Sequence, residues 1–133
     1  MKKIEHIGIA VKNIEEAEQR FTQLLGTPSY KREIVESEGV LTSFFKVGES
    51  KIELLAAVGN NSPIQKFIEK KGEGIHHIAF EVENIEQKMT ELKEKGFQLI
   101  NDIPKDGADN KRIAFIHPKT TGGILVEICE EKK

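Results

Sequence analysis

Two histidines lie in stretches of the sequence that otherwise predict buried β-strands. His6 is in KIEHIGIAV (residues 3–11), and His77 is in GIHHIAFEV (residues 74–82). Both stretches alternate and are rich in isoleucine and valine, which favours a strand. An imidazole is unusual at such a position unless it holds something, and imidazole is the most common metal ligand among the side chains. The two histidines are therefore candidate metal ligands.

The sequence around these histidines is repeated. Residues 4–15 and 75–86 are identical at seven of twelve positions, and His6 aligns with His77. Internal repeats of this kind indicate that one supersecondary unit is used twice. The adjacent His76 has no counterpart in the first copy, so the repeat selects His77 of this pair.

Two glutamates form a second aligned pair. KIELLAA (51–57) matches LVEICEE (125–131), which aligns Glu53 with Glu127. The histidines are 71 residues apart and the glutamates 74, so we predict a short loop insertion in the second copy. Both glutamates lie within apolar strands, where a charged carboxylate is costly unless it is paired or bound to a metal.

The joint pattern is more informative than any single residue. One pseudo-symmetry relates the two imidazoles and the two carboxylates, so both halves can line one four-ligand site. Such a mixed set of nitrogen and oxygen ligands suits one divalent ion, of the Mn, Co, Ni, Fe, Zn or Mg type. No cysteine belongs to the set, which argues against a structural tetrahedral zinc and for a Lewis-acid role. We predict a metal site formed by His6, Glu53, His77 and Glu127.

Strand alternation leaves space beside the histidines. Alternate side chains of a strand face opposite sides. His6 shares its face with Gly8 and Ala10, and His77 shares its face with Ala79. The larger isoleucine, valine and phenylalanine side chains of both strands occupy the other face, which is suited to pack against helices.

Each copy predicts the element order βαβββ. Asn13 and Asn84 are predicted to cap a helix, with Glu16 and Gln87 three residues further on. Gly26 and Gly96 stand where each helix would end. The remaining strands are predicted near residues 29–36, 40–47 and 51–57 in the first copy, and near 97–103, 111–117 and 123–129 in the second.

These elements predict an α+β fold, in which two pseudo-symmetric βαβββ modules form a half-barrel sheet around a metal site. We expect residues 1–133 to form one domain. Its first repeat covers about residues 3–58 and its second about 74–130, and a linking helix lies at about 62–72.

Composition narrows the classes of partner. The chain has 133 residues, 32% of them charged, and a net charge of −2, so there is no general electrostatic case for nucleic acid. No apolar stretch approaches the roughly 20 residues that span a bilayer, and no membrane partner is expected. We interpret the N-terminus as mature protein rather than a signal peptide. The single cysteine, Cys129, suits a reducing cytoplasm and is interpreted as an ordinary strand residue.

Longer motifs resemble the vicinal-oxygen-chelate superfamily, which includes glyoxalases, bleomycin resistance proteins and dioxygenases. SPIQKFIEKKGEGIHHIAFEV (62–82) and KRIAFIHPKTTGGILVEI (111–128) are similar in particular to the methylmalonyl-CoA epimerases of that superfamily, and the likeness runs essentially end to end. It implies two βαβββ modules around one metal ion, with the same four ligands that the repeat selects. Some epimerases carry a glutamate on the third strand, where this chain has Thr42, so the second proton-transfer base is left open.

The resemblance implies an isomerase that interconverts (R)- and (S)-methylmalonyl-CoA through a metal-stabilised enolate. Glu127 is the predicted acid/base, and Glu53 is a candidate for the second proton-transfer group. The resemblance also suggests a homodimer with each metal site formed within one chain. The candidate residues for binding the acyl-CoA substrate are His117, Lys119, Arg112 and Lys111.

Three other functions are weighed against this one. Lactoylglutathione lyase, glyoxalase I, would use the same ligand set, and the HPKTTGG motif favours the epimerase over it. Ring-cleaving dioxygenases use two histidines and one carboxylate on iron, so the additional Glu53 argues against them. A non-catalytic small-molecule binder of this fold would rely on aromatic walls, whereas this chain has no tryptophan and one tyrosine.

Overall fold

The computed structural model describes residues 1–132, which form two compact units. The first unit comprises residues 6–76, and the second comprises residues 1–5 together with the chain from His77 onward. The element order βαβββ occurs twice along the chain, so the predicted use of this module twice is confirmed, and most of each module lies in one unit.

The first module consists of β1 (Lys3–Ala10), α1 (Ile14–Leu25), β2 (Lys31–Val35), β3 (Val40–Val47) and β4 (Ser50–Ala57). Its strand order is β2-β3-β4-β1, with β1 parallel to β4 and the other neighbours antiparallel. A further helix, α2 (Pro63–Lys71), follows β4 and packs against it.

The second module consists of β5 (Gly74–Glu81), α3 (Ile85–Glu94), β6 (Lys105–Gly107), β7 (Lys111–Ile116) and β8 (Val126–Glu131). Its strand order is β5-β8-β7-β6, again with the first and last strands of the module parallel. The same topology therefore places the histidine strand beside the glutamate strand in both modules.

Local sequence signals define the two module helices. The Asn13 side chain accepts a hydrogen bond from the Glu16 amide at 2.9 Å, and the Asn84 side chain accepts one from the Gln87 amide at 3.0 Å. Both predicted N-caps are therefore confirmed, and each satisfies one amide that the helix leaves unpaired. Gly26 ends α1 with a left-handed φ of 74°, a conformation that glycine adopts without steric cost.

Each helix packs on one face of its own sheet. In the first module, Ala17 and Ile14 of α1 join Phe45, Leu54 and Ala56 of the strands. In the second, the cluster is formed in the same way by Ile85, Met89, Leu92, Ala114, Ile116 and Ile128. Burial of these apolar surfaces is the main force that holds each helix to its sheet.

The predicted strand near residues 97–103 is wrong. That segment has only an isolated bridge between Leu99 and Ile116, and β6 begins at Lys105. The side chain of Asn101 accepts a hydrogen bond from the Phe115 amide at 2.8 Å, where a strand would use a backbone carbonyl. Pro104 follows and has no amide to donate to a ladder.

No helix among residues 1–132 has the length and apolar character needed to cross a membrane.

Candidate metal and active site

His6 and Glu53 form a buried pair in the first unit. His6 Nδ1 lies 3.1 Å from Glu53 Oε2, and the two residues are 5% and 4% exposed. The parallel register of β1 and β4 places Gly8 directly opposite Glu53. His6 lies two residues before Gly8 on the same face, so its imidazole reaches the carboxylate diagonally. Gly8 contributes no side chain to this face, which leaves space in front of both ligand atoms.

His77 and Glu127 form the equivalent pair in the second unit. His77 Nε2 lies 3.2 Å from Glu127 Oε1, and the two residues are 6% and 4% exposed. Here the register of β5 and β8 places Ala79 opposite Glu127, so another small residue occupies the position of Gly8. Each module thus holds one histidine–glutamate pair, an arrangement that the sequence analysis did not specify.

These pairs have the chemistry of metal ligands. A buried carboxylate needs a compensating charge or hydrogen bond, and a neutral imidazole can offer only one N–H. Two imidazole nitrogens and two carboxylate oxygens match the preferences of a divalent transition ion. Binding of such an ion would compensate the buried negative charge that the imidazoles alone cannot neutralise.

One phenylalanine lies directly across from each glutamate. Phe44 on β3 pairs with Glu53, and Phe115 on β7 pairs with Glu127. The Phe115 ring meets the His77 ring edge-on, with centroids 5.9 Å apart and an interplanar angle of 85°. Both rings therefore lie on the face that carries the ligand atoms, a position that the sequence analysis did not assign.

Comparisons with known proteins agree with this geometry. Residues 5–115 match the model of the Glyoxalase/Bleomycin resistance protein/Dioxygenase superfamily. The ethylmalonyl-CoA/methylmalonyl-CoA epimerase of Cereibacter sphaeroides is 38% identical over 128 residues, which covers 95% of this chain and 96% of that one. The chain belongs to the methylmalonyl-CoA epimerase family of this superfamily. It is therefore related to a family of isomerases, as the motifs predicted.

Two further relatives extend the comparison. An uncharacterised Bacillus subtilis protein, YqjC, is 42% identical over 99% of this chain and 94% of its own length. A solved structure of Streptomyces coelicolor methylmalonyl-CoA epimerase in complex with 2-nitronate-propionyl-CoA is 29% identical, with a TM-score of 0.95 over 100% of this chain and 99% of that one. The epimerase fold thus covers the chain from end to end.

The first module of this epimerase-family chain has a buried cation that the sequence analysis missed. Lys51 lies two residues before Glu53 on β4, and its Nζ is 4.0 Å from Glu53 Oε2 and 5.7 Å from the centre of the Phe44 ring. The signal was present in the sequence, because residues two apart on a strand share a face. An ammonium this close favours the charged form of the carboxylate.

Thr42 lies on the same face of the first sheet as Phe44. It is buried and pairs with Leu55 of β4. This third-strand position therefore faces the same side as Glu53 and carries a hydroxyl where some epimerases carry a carboxylate. A threonine hydroxyl at this point can donate or accept a hydrogen bond, but it is far too weak a base to remove a carbon-bound proton.

Cys129 follows Glu127 on the same face of β8 and is fully buried. Burial raises the pKa of its thiol, and the nearby carboxylates of Glu127 and Glu5 raise it further. The sulfur donates to the carbonyl of Phe80 at 3.6 Å. The thiol therefore stays protonated, in agreement with its interpretation as an ordinary strand residue rather than a nucleophile.

Arg112 lies on the helix face of β7, opposite to the face that carries Phe115. Its guanidinium forms an ion pair with Glu86 of α3 and donates to Glu130 at 3.1 Å. The hydrogen bond with Glu86 raises the pKa of Arg112 and lowers that of Glu86. This pairing ties the helix to the sheet, and a role for Arg112 in substrate binding would require that these contacts break.

Lys111 shares the face of Phe115 but is buried among its own partners. Its Nζ lies 3.1 Å from Glu131 and 3.9 Å from Glu5. These two carboxylates neutralise its charge within the second unit. Substrate binding by Lys111 stays a prediction, and the observed contacts favour a structural role.

His117 and Lys119 lie at the short 3₁₀ turn Pro118–Thr120. His117 Nδ1 accepts a hydrogen bond from the Lys119 amide at 3.0 Å, and the His117 amide donates to Gln98 at 2.7 Å. His117 therefore stabilises this turn through Nδ1, and its Nε2 can form a hydrogen bond with another group. Contact of either residue with the substrate stays a prediction.

Proposed function

We propose that this protein is a methylmalonyl-CoA epimerase that uses one divalent metal ion. The proposal is carried by the two buried histidine–glutamate pairs, which occupy equivalent places in the two modules of a chain from the epimerase family. We propose His6, Glu53, His77 and Glu127 as the ligands of one shared ion, and the two modules as a single domain.

The reaction inverts the carbon between a thioester and a carboxylate. Its C–H bond is weakly acidic, and loss of the proton moves the bonding electrons into the thioester to give an enolate. A bound divalent ion supplies Lewis-acid stabilisation of that negative charge, typically several kcal/mol. The protein's own residues must then remove a proton from one face of the carbon and return one to the other.

Glu127 is the proposed group for one of these proton transfers. It is 4% exposed, lies opposite Phe115 and is 3.2 Å from His77 Nε2, so its carboxylate is positioned on the face that carries the ligand atoms. Proton transfer by a positioned side chain contributes typically about 10²- to 10⁴-fold in rate. The carboxylate oxygen that does not hold the ion would accept the substrate proton.

Glu53 is the proposed partner for the opposite face. The second base that some relatives carry on the third strand is replaced by Thr42, so the first module offers Glu53 as its acid near that face. The neighbouring Lys51 ammonium, 4.0 Å from Glu53 Oε2, attracts the carboxylate that would have to accept the substrate proton, whereas the described polar contact of Glu127 is the His77 imidazole. The two glutamates therefore have unequal shares of the chemistry.

Exchange of the substrate α-proton with deuterated water tests this assignment. In Glu127→Gln that still binds metal, exchange should fall by about 10²-fold or more, and in Glu53→Gln it should fall less. Glu83→Gln, an exposed acid outside the site, is the matched control. Undiminished exchange in metal-loaded Glu127→Gln would remove Glu127 from the chemistry.

A substrate comparison separates the epimerase from the lyase that shares its ligand set. Purified, metal-loaded protein should epimerise methylmalonyl-CoA and leave the hemithioacetal of methylglyoxal and glutathione unchanged. Turnover of the hemithioacetal alone would replace the proposal with lactoylglutathione lyase. Ethylmalonyl-CoA should be included, because the Cereibacter sphaeroides relative is named for both acyl groups.

The finer parts of the proposal concern assembly and place of action. We propose a homodimer in which each chain holds its own metal site, acting in the cytoplasm. Sedimentation of the purified protein at micromolar concentration tests the dimer, with the monomer mass of 15.0 kDa as the reference.

A further inference from the structure

A cleft lies beside α2 in the first unit, on residues that the proposed metal site does not use. Its volume is about 390 Å³, within the range of small-molecule sites. Phe67 and His76 form its aromatic part, with ring centroids 4.9 Å apart in an edge-to-face arrangement. His76 is the member of the His76–His77 pair that the repeat left without a role.

Three lysines line the same cleft. Lys66, Lys70 and Lys71 lie on the exposed side of α2, and Lys71 Nζ is 5.9 Å from the centre of the Phe67 ring. Within residues 1–132, none of the three has a carboxylate within 4.0 Å. Arg32 and Arg112, by contrast, are paired with Glu18 and Glu86. The cleft therefore keeps positive charge that the protein does not neutralise.

One acid also reaches the cleft. Glu69 lines it and accepts a hydrogen bond from Gln65 at 3.4 Å. Against three lysines this leaves an excess of two positive charges at the cleft. An aromatic surface next to such charge is complementary to a nucleotide, whose base packs on the rings and whose phosphates meet the ammonium groups.

We propose that this cleft binds the phosphorylated adenosine end of the acyl-CoA substrate. The proposal rests on the proposed function, because it takes the substrate to be a CoA thioester. The adenine base lies against Phe67 and His76, and the phosphates contact Lys66, Lys70 and Lys71. The buried residues of the proposed metal site suit the small acyl group of the substrate. The phosphates are strongly hydrated, so they suit an exposed cleft lined by cations. The flexible pantetheine arm separates the two ends of the substrate.

A triple variant, Lys66→Gln/Lys70→Gln/Lys71→Gln, tests the cleft. Its matched control is Lys46→Gln/Lys93→Gln/Lys95→Gln, which removes the same charge from exposed positions on β3 and near the end of α3. Titration with adenosine 3′,5′-bisphosphate should show about 10-fold or greater weakening in the first variant alone, as expected for three screened contacts. Equal binding by both variants and the wild type would overturn the proposal.

Kinetics with two thioesters give an independent readout. For methylmalonyl-CoA, the KM of the cleft variant should rise about 10-fold with kcat unchanged, because contacts remote from the reacting carbon bind ground state and transition state alike. For methylmalonyl-pantetheine, which lacks the nucleotide, kcat/KM should be the same in variant and wild type. An equal loss with both substrates would contradict a nucleotide site.

The two proposals fail in distinguishable ways. Wild-type protein that turns over neither thioester refutes the epimerase, and the bisphosphate titration then decides the cleft by itself. Wild-type protein that turns over both thioesters with equal kcat/KM refutes the nucleotide site and leaves the epimerase standing.

Discussion

The two modules hold the same histidine–glutamate pair in different surroundings. In the first, Glu53 lies beside the ammonium of Lys51, and Phe44 has both Lys31 and Lys51 over its ring, at 4.7 and 5.7 Å. In the second, the ring of Phe115 packs edge-on against the imidazole of His77 and has one lysine, Lys105, over it at 5.7 Å. Duplication preserved the ligands, whereas the residues around them diverged.

This difference suggests that metal binding and proton transfer are divided unequally between the two glutamates. A cation beside Glu53 keeps that carboxylate charged and committed to binding. The described polar contact of Glu127 is the imidazole of His77, at 3.2 Å. Because an ammonium competes for the carboxylate of Glu53, we expect proton transfer to depend mainly on the second module. Four experiments test or sharpen this comparison.

The largest effect is expected from loss of either histidine. His6→Ala and His77→Ala should each reduce epimerisation by about 10³-fold, because charge stabilisation at the enolate is lost with the metal. The measurement is turnover together with the metal content of the purified protein. His76→Ala, next to a proposed ligand, should retain its metal. If only one of the two histidine variants loses the metal, the ligands do not share one ion.

Removal of the phenylalanines should affect the modules unequally. Phe44 is 0% exposed, so Phe44→Ala should lower the free energy of unfolding by about 4 kcal/mol. Phe115 is half-buried, and Phe115→Ala should cost about 2 kcal/mol. Urea denaturation of the metal-free variants gives both values. Equal losses would show that the two rings have the same structural role.

Substitution of Lys51 tests the ammonium that lies beside Glu53 in the first module. Lys51→Met should destabilise the metal-free protein by about 3 kcal/mol, because it leaves the buried Glu53 carboxylate without its cation. Saturating divalent ion should reduce this loss, since the ion then compensates the same charge. Leu125→Met, at the corresponding place in the second repeat, is the control. A loss that is independent of metal would show that Lys51 does not act through Glu53.

The smallest effect on stability is expected from the ion pairs that join each helix to its sheet. Arg32 pairs with Glu18 at 2.5 Å in the first module, and Ser43 also donates to Glu18, so the pKa of Glu18 lies below its ordinary value of 4.5. A lowered carboxyl pKa stabilises the fold above pH 4.5, and this contribution is lost as the pH falls through the folded-state value. Because Arg32 is largely exposed, Glu18→Gln should cost only about 0.5 kcal/mol at pH 7.

Thermal unfolding of Glu18→Gln and wild type between pH 3 and 7 checks this sign. The difference in melting temperature should be largest near neutral pH and should disappear in acid. A difference that grows toward low pH would mean that the pKa of Glu18 is raised instead. The corresponding Glu86→Gln removes the more exposed tie of the second module and should change stability less than Glu18→Gln does.

Much of the fold could be predicted because its signals are local. The N-caps Asn13 and Asn84 satisfy helix amides three residues away, and alternation in the strands decides which side chains share a face. The failure near residues 97–103 has a local cause as well. Apolar residues there predict a strand, and Gln98 and Ile100 do form backbone hydrogen bonds with His117 and Phe115. The Asn101 side chain then replaces the next backbone acceptor, and Pro104 has no amide to donate.

Charged residues could not be assigned in the same way. Three cationic residues that lie close together in the sequence are predicted to bind the substrate: Lys111, Arg112 and Lys119. In the folded protein Arg112 pairs with Glu86, 26 residues away, and Lys111 pairs with Glu5 and Glu131. Long side chains can reach partners on any neighbouring element, so only the packing of the elements reveals which charge is neutralised.

The duplicated module, the helix caps and the choice of the four candidate ligands follow from the sequence alone, because the period of a strand and a repeated motif are properties of the chain. Only the tertiary structure showed that Lys51 is buried beside Glu53, that Arg112 belongs to the helix face, and that α2 and His76 border a cationic cleft. Burial and charge pairing arise between elements distant in sequence, and they depend on register and packing rather than on the residue types alone.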